Sequence, residues 1–234
     1  MNITYIFHSG FLIETSECYY IFDYWKGGLP ALDTSKPVFV FASHCHADHY
    51  NPEIFTLLRS RGMRQITAVL AKDIPQKRWP AFLQPAGSIP VVKARHSTEY
   101  DLPFHTRVQT LLSTDSGVAY LVSCPEGTIF HAGDLNEWNS PDTPEQERRQ
   151  MTGSYRAAVN KLKGKAIDAA FLPLDPRLRG CYADGFLYFI KNINVKQVFP
   201  MHYWEQPEII GQFRAEFPQF KETVKDTEQQ RPVL

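Results

Sequence analysis

The chain has 234 residues, with 25 lysines and arginines against 25 aspartates and glutamates, so no global field recruits nucleic acid or an anionic membrane, and the length suffices for a sizeable core. Cys18, Cys45, Cys124 and Cys181 are scattered without a Cys-x-x-Cys pair, which argues against a disulfide framework or a zinc ribbon and fits reduced thiols in the cytoplasm. The amino terminus lacks a basic stretch followed by a long apolar one, and no later run is long enough for a bilayer, so one soluble α/β domain spanning residues 1–234 is expected.

In chain order, Ile3–Phe7, Phe11–Glu14 and Tyr19–Phe22 are short β-rich runs separated by polar or glycine punctuation, the pattern of an antiparallel meander. His8-Ser9-Gly10 falls between the first two, where a lone histidine is by default structural. Lys26–Pro30 reads as a loop leading to the apolar run Val38-Phe39-Val40-Phe41-Ala42, a buried strand. Directly after it stands His44-Cys45-His46-Ala47-Asp48-His49, three imidazoles and a carboxylate within six residues. At a strand end the chain turns and side chains can converge. Imidazole and carboxylate suit zinc, iron and manganese, and the tight spacing suits two neighbouring metal sites better than one.

Asn51 is placed to cap a helix through Ile54, Phe55 and Leu58, stopped by Gly62, and residues 65–70 give the next strand of a parallel pair. Lys72–Gly87 has no clean period and receives no assignment. Val91–Phe130 reads as several strands ending in a hairpin turned at Pro125-Glu126-Gly127. Two helical stretches are expected next, one up to Met151 with Thr143 as its cap and one over Ser154–Leu162. The strand Ile167–Leu172 leads into Pro173-Leu174-Asp175-Pro176-Arg177, whose arginine offers a planar fork for a carboxylate or phosphate, although surface arginines are common. The strand-like Val198–Met201 precedes His202, and Pro207–Phe217 has a core-facing helical stripe.

The pattern His44-x-His46-x-Asp48-His49 resembles the metal-binding signature of the metallo-β-lactamase superfamily, and the resemblance extends over most of the chain. It implies an α/β four-layer αββα sandwich with metals at one edge between the sheets. By the same resemblance His44 and His46 serve a first metal and Asp48 and His49 a second, Gly133-Asp134 supplies a bridging ligand, His202 completes the ligands of the second metal, and Asp23 supports the loop. His8-Ser9 resembles the opening of a branch of small lactonase-like hydrolases that includes ascorbate-6-phosphate lactonases. One feature departs from the family. Where relatives place a third histidine for the first metal, this chain reads Leu112-Ser113-Thr114-Asp115; Asp115 is the better chemical replacement though two residues late, and His96 and His105 lie a strand too far upstream.

The implied cofactors are one or two divalent ions, zinc first, with manganese and iron as alternatives. Such an ion lowers the pKa of bound water from about 15.7 towards roughly 7, which makes hydrolysis of an ester-like bond of a small, anionic metabolite the natural reaction. Asp48 is then the catalytic residue that orients the nucleophile, and Arg177 and Tyr203 are candidates to bind substrate, with Trp204 and Trp138 beside the ligand loops. Two other readings stay open: an iron-dependent redox enzyme, and a degenerate noncatalytic binding protein, the latter motivated by the missing histidine.

Overall fold

The computed structural model describes residues 1–231. β1 (Asn2–Phe7), β2 (Gly10–Glu14) and β3 (Tyr19–Phe22) form the expected meander. β4 (Val38–Ala42), β5 (Ile66–Ala71) and β6 (Val91–Ala94) follow in parallel on the far side of β3. Between β4 and β5 lies α1 (Glu53–Ser60), which buries Ile54, Phe55 and Leu58; the Asn51 side-chain oxygen accepts from the Glu53 N–H at 3.0 Å, as the cap reading requires.

A second six-stranded sheet is built from β7 (Glu99–Leu102), β8 (Thr106–Leu112), β9 (Val118–Cys124) and β10 (Gly127–His131), all antiparallel, and continues with β11 (Ala166–Pro173) and β12 (Asn194–Met201) in parallel to β10. Its helices are α2 (Glu145–Asn160), α3 (Asp184–Asn192) and α4 (Glu208–Glu216). The two stretches expected around Gly153 are one helix. Gly153 has open space around it, so its cost of about 1 kcal/mol relative to alanine is outweighed by the buried Tyr155, Ala158 and Val159 that follow. Thr143 does not cap that helix, because its hydroxyl accepts from the Ser140 N–H. The unassigned Lys72–Gly87 holds two short 3₁₀ turns, Gln76–Arg78 and Ala81–Leu83.

The sheets pack face to face. Phe11 meets Phe171 at 4.3 Å between ring centroids, Phe41 meets Tyr120 at 5.2 Å, and Phe22 stacks on His131 at 5.0 Å. Polar ends in this layer are paired: the Tyr20 and Thr106 hydroxyls lie 2.8 Å apart, and the Tyr120 hydroxyl donates to the Ala42 carbonyl at 2.9 Å. Outer faces are covered by helices, with Phe130 of β10 stacked on Phe189 of α3 and Phe186 of α3 against Phe213 of α4. The result is the αββα sandwich. Strands covered on both sides read as continuous apolar runs, which is why β4 is buried at every residue.

This topology positions the site. In the first sheet β1, β3, β4, β5 and β6 all run one way, and in the second β10, β11 and β12 do. The loops after β1, β3, β4, β10, β11 and β12 therefore gather along one edge. The Val118 N–H donates to the Ser43 carbonyl at 2.9 Å and fastens the sheets together there. No helix of the described residues is long and apolar enough to cross a membrane.

Candidate metal centre

Four of the loops at this edge deliver the donors. His44, His46, Asp48 and His49 follow β4, Asp134 follows β10, His202 follows β12, and His8 stands in the turn after β1. They form two sets, His44, His46 and Asp134 in one and His8, Asp48, His49 and His202 in the other; within each, one ligand atom per residue lies within 4.8 Å of all the rest. Asp134 joins the sets. Its Oδ2 is 3.3 Å from His44 Nε2, whereas its Oδ1 is 3.1 Å from His49 Nε2 and 3.5 Å from His202 Nε2.

In the first set His44 Nε2 and His46 Nδ1 lie 3.0 Å apart, within hydrogen-bond distance, whereas around the second set the donors crowd together without satisfying one another. His8 Nε2, His49 Nε2 and Asp134 Oδ1 are buried and have no hydrogen-bond partner, although buried polar atoms are nearly always paired. Unpaired imidazole nitrogens and a carboxylate oxygen aimed at one point fit a divalent cation of the zinc, manganese or iron type.

Carboxylates behind the histidines fix their tautomers. Asp23, fully buried, accepts from His49 Nδ1 at 2.7 Å and from the Ser43 N–H and hydroxyl at 2.7 and 2.6 Å, and the Ser43 oxygen in turn lies 3.0 Å from His44 Nδ1. Asp175 does the same for His202, accepting from its Nδ1 at 2.9 Å. With Nδ1 engaged, Nε2 is the nitrogen that each of these rings has left to offer a cation. Asp175 is itself held by the Arg177 guanidinium, with Nε 3.0 Å from both oxygens and Nη2 2.6 Å from Oδ2. The β4 loop is braced from the next segment: the Cys45 N–H donates to Asp73 at 3.2 Å, and Arg78 donates to the Cys45 carbonyl and lies over the Tyr50 ring. His8, Asp23 and His202 all have positive φ, of 57°, 43° and 64°, so backbone strain is concentrated at this edge.

The electrostatics follow from this packing. Burial, together with charge on His49, pushes His44 down to about 4, and burial lowers His8 despite its contact with Asp48, so both are neutral imidazoles at neutral pH. Burial opposes ionisation of Asp48 and Asp134, but His8 and His49 around the first and His49, His202 and His44 around the second hold both well below the usual carboxylate range. Burial also disfavours a charged His49, yet Asp134 and Asp23 on either side raise it well above its ordinary value. A cation entering there displaces a proton.

Six residues expected from the sequence as ligands, His44, His46, Asp48, His49, Asp134 and His202, are brought together, and Asp23 stands behind them as expected. His8, given a structural role by default, joins the second set with Nε2 3.4 Å from Asp48 Oδ2. Among the described residues nothing fills the place of the third histidine: Asp115 is exposed and outside both sets, and His96 and His105 are exposed and outside them too. Tyr203 lies in the core, 1 % exposed, against Tyr5 and with its hydroxyl donating to Glu228 at 2.8 Å, so it does not line the site. The aromatic wall is Trp204, whose ring is 4.6 Å from His8, with Trp25 and Trp138 beside it. Arg177 stacks on Trp204 at 4.4 Å.

Sequence reasoning missed Asp175, Ser43 and His131. His131 is buried beneath Asp23; its Nε2 donates to the Ser9 carbonyl at 2.9 Å and its Nδ1 accepts from the Gly133 N–H at 3.2 Å, so it ties two ligand loops together and is no ligand itself. The one available signal for Asp175 was its place just past a buried strand on the ligand edge.

Comparison with known proteins agrees with this geometry. A family profile described as "Beta-lactamase superfamily domain" matches residues 2–150, and the chain belongs to that superfamily. It is 24% identical over 217 residues to a protein of Desulforamulus reducens named "UPF0173 metal-dependent hydrolase", covering 89% of this chain and 87% of the relative. Among solved structures it resembles Igni18, a metallo hydrolase from Ignicoccus hospitalis, at 17% identity and a TM-score of 0.62, covering 95% and 93% of the two chains. It also resembles CmlA, a diiron β-hydroxylase from Streptomyces venezuelae, at 12% identity and a TM-score of 0.55, covering 95% of this chain and 52% of that one.

Proposed function

We propose that the protein is a metal-dependent hydrolase of an ester-like bond, a lactone, phosphoester or phosphodiester, in a small anionic metabolite. The observation that carries this is the pair of donor sets sharing Asp134 at an edge where Asp48 is still 20% exposed. A divalent cation there, zinc by first preference, supplies activation of water at neutral pH and polarisation of the attacked oxygen. The chain's residues do the rest. Asp134 spans the two sets and fixes their separation, Asp48 accepts a hydrogen bond from the attacking water and orients it, and Asp23 and Asp175 keep the proton on Nδ1 of His49 and His202. Trp204, Trp25 and Trp138 wall off solvent, and Arg177, stacked on Trp204 and bound to both Asp175 oxygens, holds that wall and the carboxylate behind His202 in place.

The His8-Ser9 opening supports the lactonase-like branch, and the name of the Desulforamulus relative supports the reaction class. The reading places the protein in the cytoplasm, where its four free thiols are stable. Metal analysis of the purified chain with an absorption spectrum, followed by a screen of lactones, phosphomonoesters, phosphodiesters and thioesters, tests it. We expect a colourless metalloprotein that hydrolyses one of these classes and an Asp48→Ala variant that is folded and inactive. Unchanged turnover in Asp48→Ala refutes the mechanism, a coloured iron protein favours redox chemistry of the kind named for CmlA, and a chain that binds no metal is a degenerate relative.

A further inference from the structure

Beside the first donor set lies a cleft of about 580 Å³ lined by Lys72 and Asp73 after β5, Arg95 and His96 after β6, and Leu112 and Gly117 at the facing ends of β8 and β9. The wall it shares with the metal loop is backbone. A Cβ on Gly117 would lie 1.9 Å from the Ser43 carbonyl oxygen and 2.6 Å from the His44 Cβ, so the cleft begins one residue's thickness from a donor.

Its charge is unbalanced. Among the described residues neither the Lys72 ammonium nor the Arg95 guanidinium makes an ion pair or a side-chain hydrogen bond, and the one carboxylate of the lining, Asp73, which accepts from the Cys45 N–H, leaves the two cations in excess. Glu99, the next carboxylate along this edge, is paired with Arg107. Two uncommitted cations and the exposed His96 therefore line a space that only the Gly117 backbone separates from Ser43 and His44.

We propose that this cleft is the subsite for an anionic group of the substrate, a phosphate or a carboxylate, gripped by Lys72 and Arg95 while the scissile bond lies over the donor sets. The assignment rests on the reading of those sets as the reacting centre. It places the substrate's charge on the β5 and β6 side of the metals, opposite the Trp204 and Arg177 wall. It also gives the open side of the first set a use, because a third histidine is lacking on this flank.

Calorimetric titration of the metal-loaded full chain with phenyl phosphate, with benzoate and with the neutral benzyl alcohol tests it in wild type, Lys72→Gln, Arg95→Gln and the double variant. Both side chains are exposed, so the variants are expected to fold, and an unchanged circular dichroism spectrum and metal content check this. We expect one anion to bind wild type in preference to the other, which identifies the group as phosphate or carboxylate. Its affinity should fall about tenfold or more for each cation removed, with benzyl alcohol unaffected and Arg95→Lys retaining part of the binding. Equal anion binding in wild type and double variant would mean the metals hold the anion and would overturn the proposal, as would no binding of either anion. A wild type that hydrolyses no ester but loses the anion in the double variant refutes the proposed reaction and leaves the cleft assignment standing.

Discussion

Asp23→Asn is the sharpest single test of how this site is held. In the native arrangement the ionised carboxylate can only accept, so the Ser43 hydroxyl donates to it and must accept from His44 Nδ1, while His49 Nδ1 donates to it directly. One buried carboxylate thus sets the tautomer of a histidine in each donor set. In the variant, an amide with Oδ1 toward the Ser43 N–H and Nδ2 toward the Ser43 oxygen and His49 satisfies every group, but only if both histidines move their proton to Nε2, where it blocks the cation. Restoring the metal-binding tautomers requires flipping the amide, which sets its NH₂ against the buried Ser43 N–H. An unsatisfied buried donor costs about 1–3 kcal/mol, equivalent to roughly 5–150-fold in an equilibrium constant. That range brackets the 10–100-fold, in round terms, seen when partners behind metal ligands are removed. Asp23→Asn is therefore expected to unfold in denaturant, with chelator present, close to wild type, while competitive chelator titration shows both metals weakened within that range. Wild-type metal affinity in this variant would refute the claim that Asp23 fixes the tautomers; a large loss of chelated-state stability with metal binding intact would show that the amide sits flipped.

Metal occupancy should be unequal, since the second set has four donors besides Asp134 and the first has two; titration should show one tight and one weak equivalent, the weak one unchanged by Asp115→Ala and tightened by Ser113→His, and two equally tight sites would mean a donor is missing from this account. Gly117→Ala should cost at least about 3 kcal/mol in thermal unfolding, because φ is +65° and the new methyl meets the Ser43 carbonyl and the His44 Cβ, neither free to move; a loss under about 1 kcal/mol would contradict that close approach. Hydrogen bonding from Ser16, then the Met1 ammonium, pulls Glu126 down to about 2. A carboxylate lowered on folding stabilises fully above its ordinary value near 4.5 and loses that contribution as pH falls toward 2, so the gap between wild type and Glu126→Gln should close over that window; it should be no more than ~1 kcal/mol at neutral pH because the pair is solvent-screened, and a gap independent of pH would exclude the ionic account.

The donors legible in the sequence are those whose position along the chain already fixes their position in space. A residue just past a buried parallel strand must lie on the carboxyl edge of its sheet, which is why the apolar runs before His44, Asp134 and His202 agree with the ligand roles that the family resemblance implies for them. What was not legible depends on which way a single residue faces. His202 and Trp204 both have positive φ, 64° and 50°, and this double turn sends Tyr203 into the core and Trp204 out to His8. Proximity to a ligand in sequence named both and could not choose between them. His8 was hidden for the same reason. Its reach to Asp48 depends on a left-handed turn between two strands, which strand patterning does not encode, and on Tyr5, whose hydroxyl accepts from the His8 N–H at 2.8 Å and holds the turn.

The missing third histidine acquires a different meaning once His8 is placed. From the sequence alone it reads as a loss that leaves the centre one ligand short. In the structure the donors are redistributed, since the turn after β1 adds to the second set what the turn after β8 does not give to the first. The fully furnished set is also the better enclosed: His8, His49 and His202 are each at most 3% exposed, while His46 in the depleted set is exposed to solvent. A cation there would be surrounded by three buried histidines, the partly exposed Asp48 and the shared Asp134, which leaves little room for substrate. A cation in the depleted set would keep more open positions, and that set adjoins the cationic cleft, so on the proposed reading the flank that lacks a ligand is the one from which substrate approaches.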